Sequence, residues 1–178
     1  MTEFMQEPVL LGLLVAQGVM GGFDTVINHD LIAQLSKRPS ARTEVGLHAL
    51  REALYAALFI GLGWFAWHGA AAAIVAGLLA AEVLVSTADD YVENRTRVLP
   101  QNERVLHVFL TLNLGFILVT TVLVLVQWMP QPTALVARAP DPLAWVLSAL
   151  AAASLFWAGR DLASWLRLAV NGDSRSTR

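Results

Sequence analysis

Four stretches of the chain carry no Asp, Glu, Lys or Arg: 8–23, 53–81, 106–137 and 142–159. A helix that crosses a bilayer takes about 20 mostly apolar residues. The first and last stretches fall slightly short of one crossing. The second is too long for one helix and too short for two ideal ones. His68-Gly69 stands near its middle, flanked by Trp64 and Trp67, the pattern of a tight turn at an interface with aromatic anchors. The third stretch holds one helix ending near Trp128-Met129-Pro130, then a Pro-rich loop to Pro142. The pattern predicts an all-α fold, a bundle of five transmembrane helices at 7–33, 43–67, 70–94, 102–128 and 142–169. They form a single domain over 1–170, followed by a polar tail over 171–178. The Ala-rich run 70–73 favours close helix approach, and no internal repeat is visible.

Composition agrees with this pattern. Hydrophobic residues make up 56% of the 178 residues and charged residues 15%. Soluble domains carry about 25% charged residues, so this chain lacks the polar surface for a water-exposed globule. The mean hydropathy is +0.57. A net charge of -2 offers no basic excess for a phosphate backbone, so nucleic acid is not an expected partner. The chain has no cysteine, which removes disulfides, thiolate nucleophiles, iron–sulfur clusters and thiolate zinc sites. No Gly-x-Ser-x-Gly elbow, Walker motif or dinucleotide fingerprint occurs. Nothing in the pattern points to nucleotide or haem.

The start Met1-Thr2-Glu3 has no basic region of the secretory-signal kind, so the first helix is expected to persist. Lys37, Arg38, Arg42, Arg95, Arg97, Arg104, Arg167, Arg175 and Arg178 fall on one side of five alternating helices, against Arg138 alone on the other. The positive-inside rule then predicts the N-terminus outside and the C-terminus in the cytoplasm. Glu3 and Glu7 sit on the outer side. Asn94-Arg95-Thr96 fits a glycosylation sequon, but on the cytoplasmic side it is expected to go unused.

The ionisable residues inside these helices change the picture. About 20 residues inward from the turn at His68 lie His48 on helix 2 and Asp89 on helix 3. His48, Arg51 and Glu52 therefore fall at or inside the inner membrane boundary. Glu82 precedes Asp89 by seven residues, ~10 Å deeper at 1.5 Å per residue. Asp24 is also inside on helix 1. A charge at mid-membrane costs roughly 2.5–3.5 kcal/mol even on the lenient insertion scale, so these groups must face one another, a metal or trapped water. Their phases agree. Glu44, His48 and Glu52 recur at i, i+4 and i+8. Glu82, Ser86, Asp89 and Glu93 share one helical face. Glu103 and His107, and Asp24 and Asn28, are i, i+4 pairs. His29 and Asp30 close helix 1, and Arg160, Asp161 and Ser164 come from helix 5. All lie toward the cytoplasmic end of their helices.

Helix 2 carries Glu44-x-x-x-His48, helix 4 carries Glu103-x-x-x-His107, and helices 1 and 3 carry carboxylates. That order of ligands resembles the ferritin-like di-metal carboxylate bundles, including membrane quinol oxidases of the alternative-oxidase type, over helices 1 to 4. Here the spacing is i+4 where that family has i+3. The resemblance implies a transition-metal centre of one or two ions. Phe23-Asp24-Thr25, Leu47-His48-Ala49 and Glu103-Arg104-Val105 look like a family of small bacterial integral membrane proteins, a likeness that implies a bacterial inner membrane setting and no activity. The clustered His boxes of membrane desaturases are absent.

The first expectation is a membrane-embedded metalloenzyme with its site at the cytoplasmic face, acting on a lipid-like or quinone substrate that enters laterally. Glu44, His48, Glu103 and His107 are its core ligands for Fe, Mn or Zn, with Asp89, Glu82, Glu93 and His29 completing the shell. Arg51, Glu52, Arg95, Arg104 and Asp24 support it, Arg51 or Arg104 holding an anionic head group. The competing expectation is a buried ion-pair network in which Arg51, Arg95, Arg104 and Arg160 neutralise the acids. Such a network suits a small transporter or proton relay with Glu82 as carrier, or an accessory subunit docking a soluble partner. His68 is expected to stand apart from the other histidines.

Overall fold

The computed structural model describes residues 6–176. It is helical almost throughout: α1 (Gln6–Phe23), a π-helical segment (Asp24–Ala33) continuing from it, α2 (Arg42–Trp64), α3 (Ala72–Thr96), α4 (Gln101–Trp128) and α5 (Pro142–Ser176). Five segments are long and apolar enough to cross a membrane: Glu7–Ala33, Pro39–Trp64, Gly69–Thr96, Gln101–Trp128 and Pro142–Val170. Glu3 and Arg178 lie outside the described residues, as does the side chain of Arg175.

Helix α2 packs along α5 and α3, while α1 packs on α4 and α5. Around the bundle the order is therefore α3, α2, α5, α1, α4. Close approach of α2 and α5 depends on Gly46, whose missing Cβ would lie 2.9 Å from a ring carbon of Trp165. Leu10, Leu14, Leu58, Phe59, Leu62, Ile117 and Leu147 form the apolar core toward one end. Outward positions are also apolar: Phe116, Val119, Leu155 and Phe156 are all exposed. The charged side chains Asp24, Glu44, Glu82, Asp89, Glu93 and Glu103 are buried instead. This inverts the arrangement of a soluble globule.

Three elements differ from the sequence expectation. Helix 2 stops at Trp64, and Phe65–His68 (β1) is extended and pairs antiparallel with Ala134–Ala137 (β2) inside the expected Pro-rich loop. The turn at Gly69 needs φ +58, and a Cβ there would sit 2.6 Å from Thr133 Oγ1; only glycine meets both conditions. Helix 1 changes to π geometry at Asp24, and the backbone N–H of Gln34, itself left-handed at φ 50, donates to the His29 carbonyl to end it. Helix 5 runs on to Ser176, through most of the expected polar tail.

Candidate metal centre

The π-helical segment decides which side chains of the first span meet. Five residues along an α-helix turn through a full circle plus about 140°, which would point Asp24 and His29 apart. In a π-helix the i→i+5 hydrogen bond stacks such residues. Here His29 Nε2 lies 3.3 Å from Asp24 Oδ2. Asn28 donates to Asp24 Oδ1 at 2.7 Å, and Asn102 donates to the Asn28 oxygen at 3.0 Å. One oxygen of Asp24 is thus fixed by an amide, and the other faces two imidazoles.

Helix α4 supplies the opposite wall. Its i, i+4 pair Glu103 and His107 shares one face. His107 Nε2 approaches Asp24 Oδ2 at 3.1 Å, and Glu103 Oε1 lies 3.5 Å from His29 Nε2. Asp24, His29, Glu103 and His107 each offer a donor atom within 4.8 Å of the others, and this group could hold a metal ion. The other nitrogen of His107 lies 3.4 Å from Glu93 Oε2, and Asp90, Glu93 and His107 form a second such group. Two donors bound to one metal at about 2.1 Å stand about 3.0–3.4 Å apart in octahedral or tetrahedral geometry. Separations of 3.1, 3.3 and 3.5 Å fit that spacing. His29 is buried, yet neither of its ring nitrogens makes a hydrogen bond among the described residues.

Helices α2 and α3 close the cluster with ion pairs. The His48 ring stacks on His29, with centroids 4.2 Å apart and planes at 6°. His48 Nε2 meets Asp89 Oδ2 at 3.1 Å, and Arg51 meets the same oxygen at 2.9 Å. Arg97, just past the end of α3, donates to Glu44 at 3.0 Å and also bonds Glu93 and Glu103. Burial alone would lower the basicity of Arg97; the hydrogen bond to Glu103 and the charges of Glu44, Glu93 and Glu103 outweigh it and push the guanidinium pKa up. Five buried carboxylates, Asp24, Glu44, Asp89, Glu93 and Glu103, thus face two guanidiniums, Arg51 and Arg97.

Of the residues singled out in the sequence, Glu103, His107, His29 and Asp24 come together in the first donor group, and Glu93 joins through His107. Asp24, expected in support, stands at its centre. Glu44 and His48 border the cluster, bonded to Arg97 and Asp89. Glu82 lies apart, accepting from Ser86 at 2.7 Å. It lines a cavity of about 130 Å³ together with Glu52, Arg51 and His107. Arg95 is exposed and stacks over Tyr91, its guanidinium 4.7 Å from the ring centre; Arg104 is exposed. Arg160 pairs with Asp30 and Asp161, joining the π-helical segment to α5. His68 packs beside Trp128 at the other end of the bundle. Sequence reasoning missed Arg97 as a cluster residue because its place after a helix end looked like a topology-setting charge. Asp90, exposed on α3, joins the second donor group.

No protein-family model, curated protein or solved structure matches the chain.

Proposed function

We propose that this protein is a membrane-embedded metalloenzyme, N-terminus outside and C-terminus cytoplasmic, whose Asp24/His29/Glu103/His107 group binds Fe, Mn or Zn. The observation that carries the reading is the geometry at His29. A buried imidazole without a hydrogen bond faces two carboxylate oxygens at 3.3 and 3.5 Å, the spacing of ligands around an ion. Imidazole and carboxylate suit all three metals, and a metal there would supply Lewis acidity or oxygen activation. Asp90 and Glu93 offer a second ion a place across His107. The substrate class is lipid-like or quinone-like, reaching the centre from the cavity that His107 lines. The apolar outward face of α4 and α5 supports the membrane setting, and with Fe or Mn bound the centre would serve oxidoreductase chemistry.

A second reading is favoured by Arg97, which bonds three carboxylates by itself. Here the cluster is a structural ion-pair network in a proton relay, transporter or accessory subunit. Elemental analysis of protein purified gently from membranes separates the two. Near-stoichiometric metal that disappears in His29→Ala supports the metalloenzyme. A clean absence of Fe, Mn and Zn leaves the network. Reporter fusions at Pro132 and at the C-terminus are expected in opposite compartments; a shared compartment would remove the five-span topology.

A further inference from the structure

The cations of this chain fall into two kinds. Arg51, Arg97, Arg138 and Arg160 are each held by carboxylates. Lys37, Arg38 and Arg42 are exposed and meet no carboxylate among the described residues. The acids beside them in the chain and across the bundle are spent elsewhere: Glu44 goes to Arg97 and Asp161 to Arg160. Three positive charges thus stand unneutralised at the start of α2 and on the segment before it.

Trp165 on α5 fixes where one of these charges sits. Its ring closes on Gly46 of α2 and packs against the small apolar cluster of Leu35, Ala41 and Val45. The Arg42 guanidinium lies over that ring, 5.2 Å from its centre, so it is steered by an aromatic face and keeps its charge free for another partner. Beside the pair an open groove runs between α2 and α5, lined by Arg42, Thr43, Gly46, Leu47, Leu162 and Trp165.

Polarity is graded along this groove. The two helices run antiparallel, with Arg42 at Trp165 and Trp64 at Ser148. Leu47 follows Arg42 and Leu162 precedes Trp165, so both leucines stand roughly 4–8 Å farther into the apolar spans at 1.5 Å per residue. Leu50 and Leu162 are exposed there. A guanidinium at the rim and leucines below it match an anionic head carried on an apolar chain. A small free anion would leave the leucines uncovered. In the membrane setting proposed above, the rim lies at the cytoplasmic boundary, where basic side chains attract anionic lipid.

We propose that this groove binds an anionic phospholipid of the cytoplasmic leaflet, with its phosphate on Arg42 and an acyl chain along Leu47 and Leu162. Thr43 offers a hydroxyl at the same rim, and Lys37 and Arg38 add charge beside it. The inference rests on the membrane setting of the proposed function and uses none of its metal chemistry.

Trp165 gives the readout. The full-length protein is reconstituted into phosphatidylcholine vesicles in which a rising fraction of lipid carries bromine on its acyl chains, as phosphatidylglycerol in one series and as phosphatidylcholine in the other. The part of the fluorescence quenching that Trp165→Phe removes should be half-complete at a mole fraction at least about fivefold lower for phosphatidylglycerol, the worth of one basic charge at such a surface. Arg42→Gln should reduce that preference about fivefold, and Arg42→Lys should keep most of it. Arg95→Gln removes an equal charge from α3, outside the groove, and should leave the preference unchanged. Glycerol phosphate, an anionic head without chains, should not displace the brominated lipid. Equal quenching by the two lipids in protein that has entered the vesicles overturns the lipid site and leaves the membrane setting standing; protein that does not enter them removes both. A loss in Arg95→Gln equal to that in Arg42→Gln would reduce the preference to diffuse surface charge and overturn the site. Displacement by glycerol phosphate would make the groove a site for free anions and overturn the lipid assignment.

Discussion

The two ends of this bundle use similar residues to opposite purpose. At the end bearing the strands, both oxygens of the half-buried Glu7 are engaged: Trp128 donates to one at 3.0 Å and Arg138 meets the other at 2.7 Å. Trp64 donates to Ser148 at 2.8 Å and meets Trp145 edge-on, and Trp67 donates to the Gly61 carbonyl at 2.9 Å. At the other end carboxylates and imidazoles crowd together, and many of their atoms stay uncommitted. Of eight buried side-chain atoms without a hydrogen-bond partner among the described residues, six belong to His29, Glu44, Glu52, Glu82 and Asp89. One end spends its polar groups on holding helices together. The other leaves many of them without a hydrogen-bond partner, as the proposed metal centre requires.

Substitutions should separate the two ends. The largest expected effect is on metal. His29→Ala combined with His107→Ala should bring bound metal from near-stoichiometric to background by elemental analysis, while the protein still inserts; unchanged metal would erase the proposed distinction between the ends. Next is Arg97→Met. Removing one member of a buried ion pair costs about 3–5 kcal/mol, and here three carboxylates lose a partner. The thermal midpoint of metal-free protein should fall sharply, and added metal should recover part of it by offsetting the same charge. A midpoint that does not respond to metal would assign Arg97 to structure alone. Asn28→Ala releases Asp24 Oδ1 and should weaken metal affinity about 10–100-fold, as loss of an outer hydrogen bond does at metal sites. The smallest effect belongs to the strand end: Glu7→Gln should cost only about 0.2–1 kcal/mol, because the pair is partly solvated, and should leave metal content unchanged. A metal loss there equal to that in the histidine variants would show that the ends are coupled.

How much of this was readable from the chain differs by feature. The five helices follow from apolar stretches of bilayer length, a signal local in sequence. The i, i+4 pair Glu103 and His107 was readable for the same reason: α-periodicity fixes which side chains share a face. Periodicity fails where the geometry changes. Asp24 and His29 meet only through the π-helical segment, and an α reading pairs Asp24 with Asn28 instead. That pair is real, at 2.7 Å, but it supports the cluster from outside. The pairing of β1 with β2 was hidden because it joins residues far apart in sequence, and β2 is exposed at every position, with no alternation to betray a strand. Arg97 gave no periodic signal because it lies beyond its helix.

The π-helical segment also links backbone register to occupancy. Deleting one residue between Asp24 and His29 would make them an i, i+4 pair, which an ordinary α-helix keeps on one face. The donor pair could then survive without the wide turn, although Asp30 would shift relative to Arg160. Without a deletion, relaxation of this stretch to α geometry would swing His29 away from Glu103. An ion held between them would therefore act as a clamp on the register of Asp24–Ala33, and amide exchange across those ten residues would report on the centre from the main chain alone.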